Sequence, residues 1–143
     1  MDVHESLKVK ENVLIQLFGP DGVLKETRVC NTVTTAGKDG IADQILAAPT
    51  LGKPTHMAVG TGTPTATALG AETDRNANTS KTRSGAVVTI VGDWAAGDAT
   101  AALTEAGTFD AGAAGNMWMS TSFAVINKLA ADTLKITWTL TIS

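Results

Sequence analysis

The chain has 143 residues, among them 22 Ala, 22 Thr and 14 Gly, with 17% charged residues and a net charge of −3. That length suits one domain, and Leu, Ile, Val and Phe at about 22% give it material for a single core. The mildly acidic balance, without a basic block, argues against nucleic acid as a partner. No apolar run approaches the ~20 residues of a membrane-spanning helix, and Met1 to Ser6 carries no signal-peptide pattern. A lone cysteine, Cys30, leaves no internal disulfide and no CxxC zinc site.

Residues 1–12 read as an N-terminal arm, because Asp2, His4, Glu5, Lys8, Lys10 and Glu11 interrupt every apolar run. Such a segment frays or orders against a partner. Val13 to Phe18 is β-branched and apolar, which predicts a strand. Gly19-Pro20-Asp21-Gly22 then supplies the residues of a tight turn. Val23 to Val33 alternates, so residues 13–33 form a β-hairpin. Cys30 shares the Leu24 face of that strand and is expected to be buried and inert.

Thr35 is the expected cap of one helix over about 35–47. Ile41, Ala42, Ile45 and Leu46 form its apolar stripe, and Pro49 limits its end. Gly37 and Gly40 weaken it by about 1 kcal/mol each relative to Ala. Strands follow between 55 and 142. One starts at Pro54 and ends at Gly60, and one edge strand falls within 70–84. Others run from Ala86 toward Trp94, from Ala99 to Phe109 and from Met117 to Ile126. In the last, Leu134, Ile136, Trp138, Leu140 and Ile142 alternate with Lys135, Thr137, Thr139 and Thr141, the mark of a half-buried antiparallel strand. The expected fold is mainly β, an antiparallel sandwich or compressed barrel of about seven to eight strands with one short helix. The domain proper is expected over 13–143.

No catalytic constellation emerges. Gly60-Thr61-Gly62-Thr63-Pro64-Thr65 resembles the start of a dinucleotide loop, but Thr65 stands where the third Gly belongs and no strong helix follows. It reads as a loop whose glycines permit close backbone geometry. His4 and His56 lack metal partners at ligand spacing, and no Ser sits in a nucleophile elbow. Asp93, Asp98, Glu105 and Asp110 read as solvated charges, although paired carboxylates also serve glycoside hydrolysis. Trp138 belongs to the core. Trp94 and Trp118 raise a glycan-stacking alternative, with Trp94 the more exposed of the two. No cofactor and no metal is expected.

Several segments together carry a resemblance. They are Asn31-Thr32-Val33-Thr34-Thr35-Ala36-Gly37-Lys38-Asp39-Gly40-Ile41-Ala42, Met57-Ala58-Val59-Gly60-Thr61-Gly62-Thr63 and Thr104-Glu105-Ala106-Gly107-Thr108-Phe109-Asp110-Ala111, followed by Phe123 to Lys128 and Leu134 to Thr141. In this order they resemble small virion structural proteins of tailed bacteriophages, either head decoration (cement) proteins or related tail components. The resemblance spans most of residues 12–142. It implies a non-enzymatic protein on the outer surface of the phage head, held in the host cytoplasm before assembly. Its partners would be the major capsid protein and copies of itself, as a homotrimer. A tail-fibre, tail-tip or collar component is the alternative, and a carbohydrate-binding module a lesser one. Residues 1–12 would contact the capsid, through Val3, His4, Leu7, Lys8 and Lys10. A carboxylate and a glycine inside one strand, Glu105 and Gly107, suggest a bulge or a close backbone approach. Glu105 is expected to cap nearby N–H groups or to pair with Arg75. The Thr row of the last strand is a second candidate surface.

Overall fold

The computed structural model describes residues 8–31 and 34–143. Val3, His4 and Leu7 of the expected arm lie outside the described residues. Among the described residues, nine strands and one helix follow in order: β1 (Val9–Phe18), β2 (Leu24–Cys30), α1 (Thr35–Asp43), β3 (His56–Gly60), β4 (Glu72–Ala77), β5 (Ser80–Ser84), β6 (Val87–Trp94), β7 (Ala101–Phe109), β8 (Met117–Lys128) and β9 (Thr133–Ile142). They make a five-stranded sheet, β2-β1-β9-β6-β5, and a four-stranded sheet, β4-β3-β7-β8. Every pairing is antiparallel. The β-sandwich is therefore as expected, with more strands.

The extra strand arises within 70–84. The single expected edge strand is two, β4 and β5, and they belong to different sheets. The chain changes sheet at Asn78 and Thr79. The Asn78 N–H donates to Thr55 O at 2.9 Å and the Thr79 N–H to Val91 O at 2.8 Å. No Gly or Pro marks this link, so its backbone partners change without a turn signal.

The expected arm is also shorter than 1–12. Lys8 and Ser143 exchange both backbone hydrogen bonds, at 2.6 and 2.8 Å, and pairing with β9 runs from Val9 onward. Glu11 is only 3% exposed. The Trp138 indole N–H donates to its Oε1 at 2.7 Å, and the Thr34 N–H donates to its Oε2 at 3.3 Å. Residues 9–12 continue the inward-outward alternation of β1, and Glu11 takes an inward position where a buried indole needs an acceptor.

The core is built from transverse rows. Val13 of β1, Trp138 of β9 and Ile90 of β6 sit side by side, as do Ile15, Ile136 and Gly92, then Leu17, Leu134 and Trp94. From the other sheet, Met57, Val59, Leu103, Ala106, Met119 and Ile126 complete the same cluster. Gly92 is required in its row. A Cβ there would stand 2.8 Å from Met57 Sδ and 3.1 Å from the Trp94 ring.

Helix α1 differs from its expected form. Thr34, not Thr35, is the N-cap, accepting from the Gly37 N–H at 3.1 Å, and the helix ends at Asp43. The buried face is Gly37 and Gly40, while Ile45 is 83% and Leu46 55% exposed. The reason is contact distance. Beyond Asp43, the carboxylate of that residue draws the chain back, accepting from the N–H groups of Thr50 and Leu51 at 3.1 and 2.9 Å. The two glycines let the helix axis approach β8, so that a Cβ on Gly40 would meet the Trp118 ring at 2.5–2.7 Å and one on Gly37 would meet Met119 Cγ at 3.0 Å. Gly→Ala at position 40 tests this. Helix propensity alone would stabilise by about 1 kcal/mol. Overpacking against the indole is expected to outweigh that and lower stability by about 1–2 kcal/mol, read by urea unfolding. A stabilised G40A protein would refute the packing account.

Burial raises the Glu11 pKa above its ordinary value, outweighing the bonds from Trp138 and Thr34. The folded state thus holds this proton more tightly than the unfolded chain, and Glu11 contributes a loss of stability as pH rises through its folded pKa. The stability of E11Q relative to the parent is expected to improve between roughly pH 4.5 and pH 7. A stability difference that stays flat across that range would show that Glu11 titrates alike in both states.

Candidate functional site

The two outer faces of the sandwich are treated differently by the chain. On the four-stranded sheet, Gly60, Glu105 and Ser122 share one outward row, and Ala58, Gly107 and Ser120 share the next. The segment 61–71 folds over these rows. Glu105, fully buried, is the peg beneath it. Its carboxylate accepts from the N–H groups of Gly62 at 2.7 Å, Gly70 at 2.6 Å and Ala71 at 2.8 Å. Thr104 Oγ1 adds a bond to Gly62 O at 2.7 Å. Leu69 then packs on Ala58, Phe109 and Met117 as a separate apolar cluster.

This explains the Gly-Thr-Gly sequence. A Cβ on Gly60 would stand 2.4 Å from Ala71 O and 2.6 Å from Glu105 Oε2, and one on Gly70 would stand 2.4 Å from Thr63 O. The glycines serve close backbone packing around an internal carboxylate. The expected cap by Glu105 is present.

The expected pairing of Glu105 with Arg75 is not. Arg75 bonds Glu72 instead, Nη2 to Oε1 at 2.6 Å and Nε to Oε2 at 3.1 Å. Its Nη1 donates to Ala111 O and Ala114 O at 3.0 and 2.8 Å, and the guanidinium stacks 3.6 Å above the Phe109 ring centroid. Glu72, three residues away, is the nearer and less buried partner, and Glu105 already accepts three bonds. Arg75 thereby ties β4 to the 110–116 loop. Burial disfavours the ionised form of Asp110, but donors from Asn116 and Gly52 outweigh it and hold its carboxyl below the usual range.

Among the described residues, the outer face of the five-stranded sheet has no such cover. Its rows run Val29, Leu14, Thr137, Val91 and Ser80 in one line, and Asn12, Thr139, Thr89 and Thr82 in the next. All of these are exposed or half-buried. Val29 is 59% and Leu24 46% exposed. Charge lies at the margins, with Lys10 beside Thr141 and with Asp93 beside Lys135. The expected Thr row of β9 lies at the centre of this face, half-buried between Leu14 and Val91 neighbours rather than freely exposed. Lys8 and Lys10 are exposed at the start of β1, so two of the five expected contact residues border this face. Sequence reasoning missed its apolar half because Leu14, Val29 and Val91 were indistinguishable from core residues without knowing which face was covered.

Other expectations change. Trp94 is 1% and Trp118 5% exposed, so neither offers a free ring face to a sugar. Trp94 lies in a core row, and Trp118 donates its indole N–H to Gly52 O at 3.0 Å. Trp138 is core, as expected. Glu105 is not a solvated charge. His56 is half-buried at a strand start, 2.8 Å from Thr55 Oγ1. Cys30 is only half-buried, since it sits on an edge strand with Sγ 3.7 Å from Ser122 O. Among the described residues, no three His, Cys, Asp or Glu side chains are grouped to hold a metal ion, and no helix is long and apolar enough to cross a membrane. Compared with protein-family models, with curated proteins and with solved structures, the chain finds no match.

Substituting Glu105 by Gln places an amide donor among three N–H groups and removes the charge. The expected loss is about 2–3 kcal/mol of stability. Arg75→Ala should cost less, and the double variant should be additive within about 0.5 kcal/mol because the two residues share no partner. A coupling well above that, measured by urea unfolding of all four proteins, would restore the Arg75–Glu105 pair.

Proposed function

We propose that the chain is a non-enzymatic structural protein of a tailed-bacteriophage particle, in its most concrete form a decoration protein on the outer surface of the head. The family resemblance of its sequence motifs supports the phage setting. The observation that carries the adhesive reading is the contrast between the two outer faces. One is sealed by a loop pegged on Glu105, and the other is an open field of Thr, Val and Leu. Five strands about 4.8 Å apart, of five to ten residues each and so averaging about 26 Å, make a face of roughly 600 Å², somewhat below the ~800 Å² per partner of a standard interface. Its neutral character suits contact with a capsid subunit or with neighbouring copies, and a trimer at a local three-fold axis would multiply weak contacts through effective concentration. Lys8 and Lys10 would sit at the rim of that contact.

The test is copy number in purified particles, by quantitative mass spectrometry against the major capsid protein. A ratio near one, or one trimer per few capsid subunits, is the expected outcome. A few copies per hundred would place the chain in the tail or collar instead, and absence from particles would overturn the virion reading. Val29→Glu and Val91→Glu should each lower occupancy at least tenfold while changing stability by no more than about 0.5 kcal/mol. Deleting residues 1–7 should impair attachment and leave the sandwich folded. Deleting 1–12 should unfold it, since that removes four residues of β1 paired with β9 and leaves the buried Trp138 indole without its acceptor.

A further inference from the structure

A different edge of the molecule points to a second interaction. Strand β5 ends the five-stranded sheet, and its outer backbone edge has no partner among the described residues. Lys81 and Arg83 stand opposite Ile90 and Val88, so both side chains project to the inner side of the sheet. There they border a cavity of about 320 Å³ between β5–β6 and the Lys53–Pro54 segment. Ile90, Trp118, Met119 and Leu140 form its apolar floor. Lys53, Lys81 and Arg83 are its charged groups, and no carboxylate lines it.

We propose that the β5 edge docks an extended segment of a partner protein, one that carries an apolar side chain and a carboxylate two residues apart. The spacing follows from strand geometry. A segment added to β5 would pair its backbone with the free edge and send alternate side chains inward. One of these would fill the apolar cavity, and the next on that side would meet Arg83, Lys81 or Lys53. Charge selects the partner. Two copies of β5 paired together would bring Lys81 and Arg83 against like charges, the device by which edge strands avoid self-association. An acidic segment meets no such penalty. Burial and the neighbouring Lys53 both lower the Lys81 pKa, so this ammonium gains from a carboxylate beside it. At present it donates to Pro54 O at 2.7 Å. This proposal does not depend on the phage reading, since the edge, the cavity and the cations are independent of where the protein resides.

The probe is a synthetic pentapeptide, Thr-Leu-Thr-Glu-Thr, blocked at both ends and titrated into the full chain labelled for amide NMR. Saturable shifts confined to residues 80–84, Lys53 and the Trp118 indole are expected. Replacing the peptide Leu by Ser, or the Glu by Lys, should weaken binding at least tenfold. Arg83→Glu should weaken binding of the Glu peptide and narrow its advantage over the Lys peptide, and Arg83→Lys should retain both. Because position 83 is exposed, an otherwise unchanged spectrum will show that each variant is folded. No saturable shifts at β5, or shifts indifferent to the peptide's charge, would overturn the proposal and leave Lys81 and Arg83 as guards of an edge. Concentration-dependent shifts at β5 without peptide would overturn it in favour of a second copy.

Discussion

One buried carboxylate organises the outer half of this molecule. Glu105 lies on a central strand of the four-stranded sheet, where a charge is costly unless its oxygens are satisfied. Three backbone N–H groups satisfy them, and all three come from the ends of a single loop. The dependence is mutual. Without the carboxylate the N–H groups of Gly62, Gly70 and Ala71 would lose the acceptor that draws them together. Without the loop the carboxylate would be stranded in a sheet. Gly60, Gly62 and Gly70 are then fixed by the same demand, because side chains there would occupy the space of the loop backbone or of the carboxylate itself.

That peg decides which face of the sandwich is available. A four-stranded sheet with its loop tied down has little outer apolar surface left, since Leu69 covers Ala58, Phe109 and Met117. On the five-stranded sheet, the outward rows stay exposed or half-buried among the described residues. Its hairpin turn, residues 19–23, closes locally through the Gly22 N–H to Gly19 O bond at 2.9 Å. The asymmetry that supports an adhesive role is thus a consequence of where one acidic residue was placed.

The strands were legible where one face met water and the other met the core. β9 is the clearest case, with Leu134, Ile136, Trp138 and Leu140 all inward. The hairpin was legible from its turn chemistry. Legibility failed where tertiary contact inverted a local rule. Gly37 and Gly40 look like defects in a helix, yet they are its packing face, because the closeness of β8 matters more than propensity. Trp94 looked exposed beside Asp93 and a turn, but register places it in a core row with Leu17 and Leu134. The Glu105 cap was readable as a polar residue in an apolar strand that needed donors. Its donors were not assignable, because they sit more than thirty residues away in the chain.

Edges complete the logic of the fold. At the β2 side, the free edges of the two sheets are bridged by side chains, with Arg28 Nη2 donating to Val125 O at 3.2 Å and Lys25 Nζ reaching both oxygens of Asp132 at 3.1 and 2.9 Å. The Lys25 bonds, with one from the Leu129 N–H, hold the Asp132 carboxyl below its ordinary range. At the opposite side the chain itself crosses from β4 to β5, so covalent connection replaces side-chain bridges. That crossing leaves β5 as a short, wholly exposed strand whose inner side chains are cationic. At the β2 side the polar groups are engaged internally, whereas among the described residues the β5 edge has an unpaired backbone, an apolar cavity and cations without a carboxylate partner. The same sandwich therefore carries two surfaces of opposite character: a broad neutral face and a narrow basic edge.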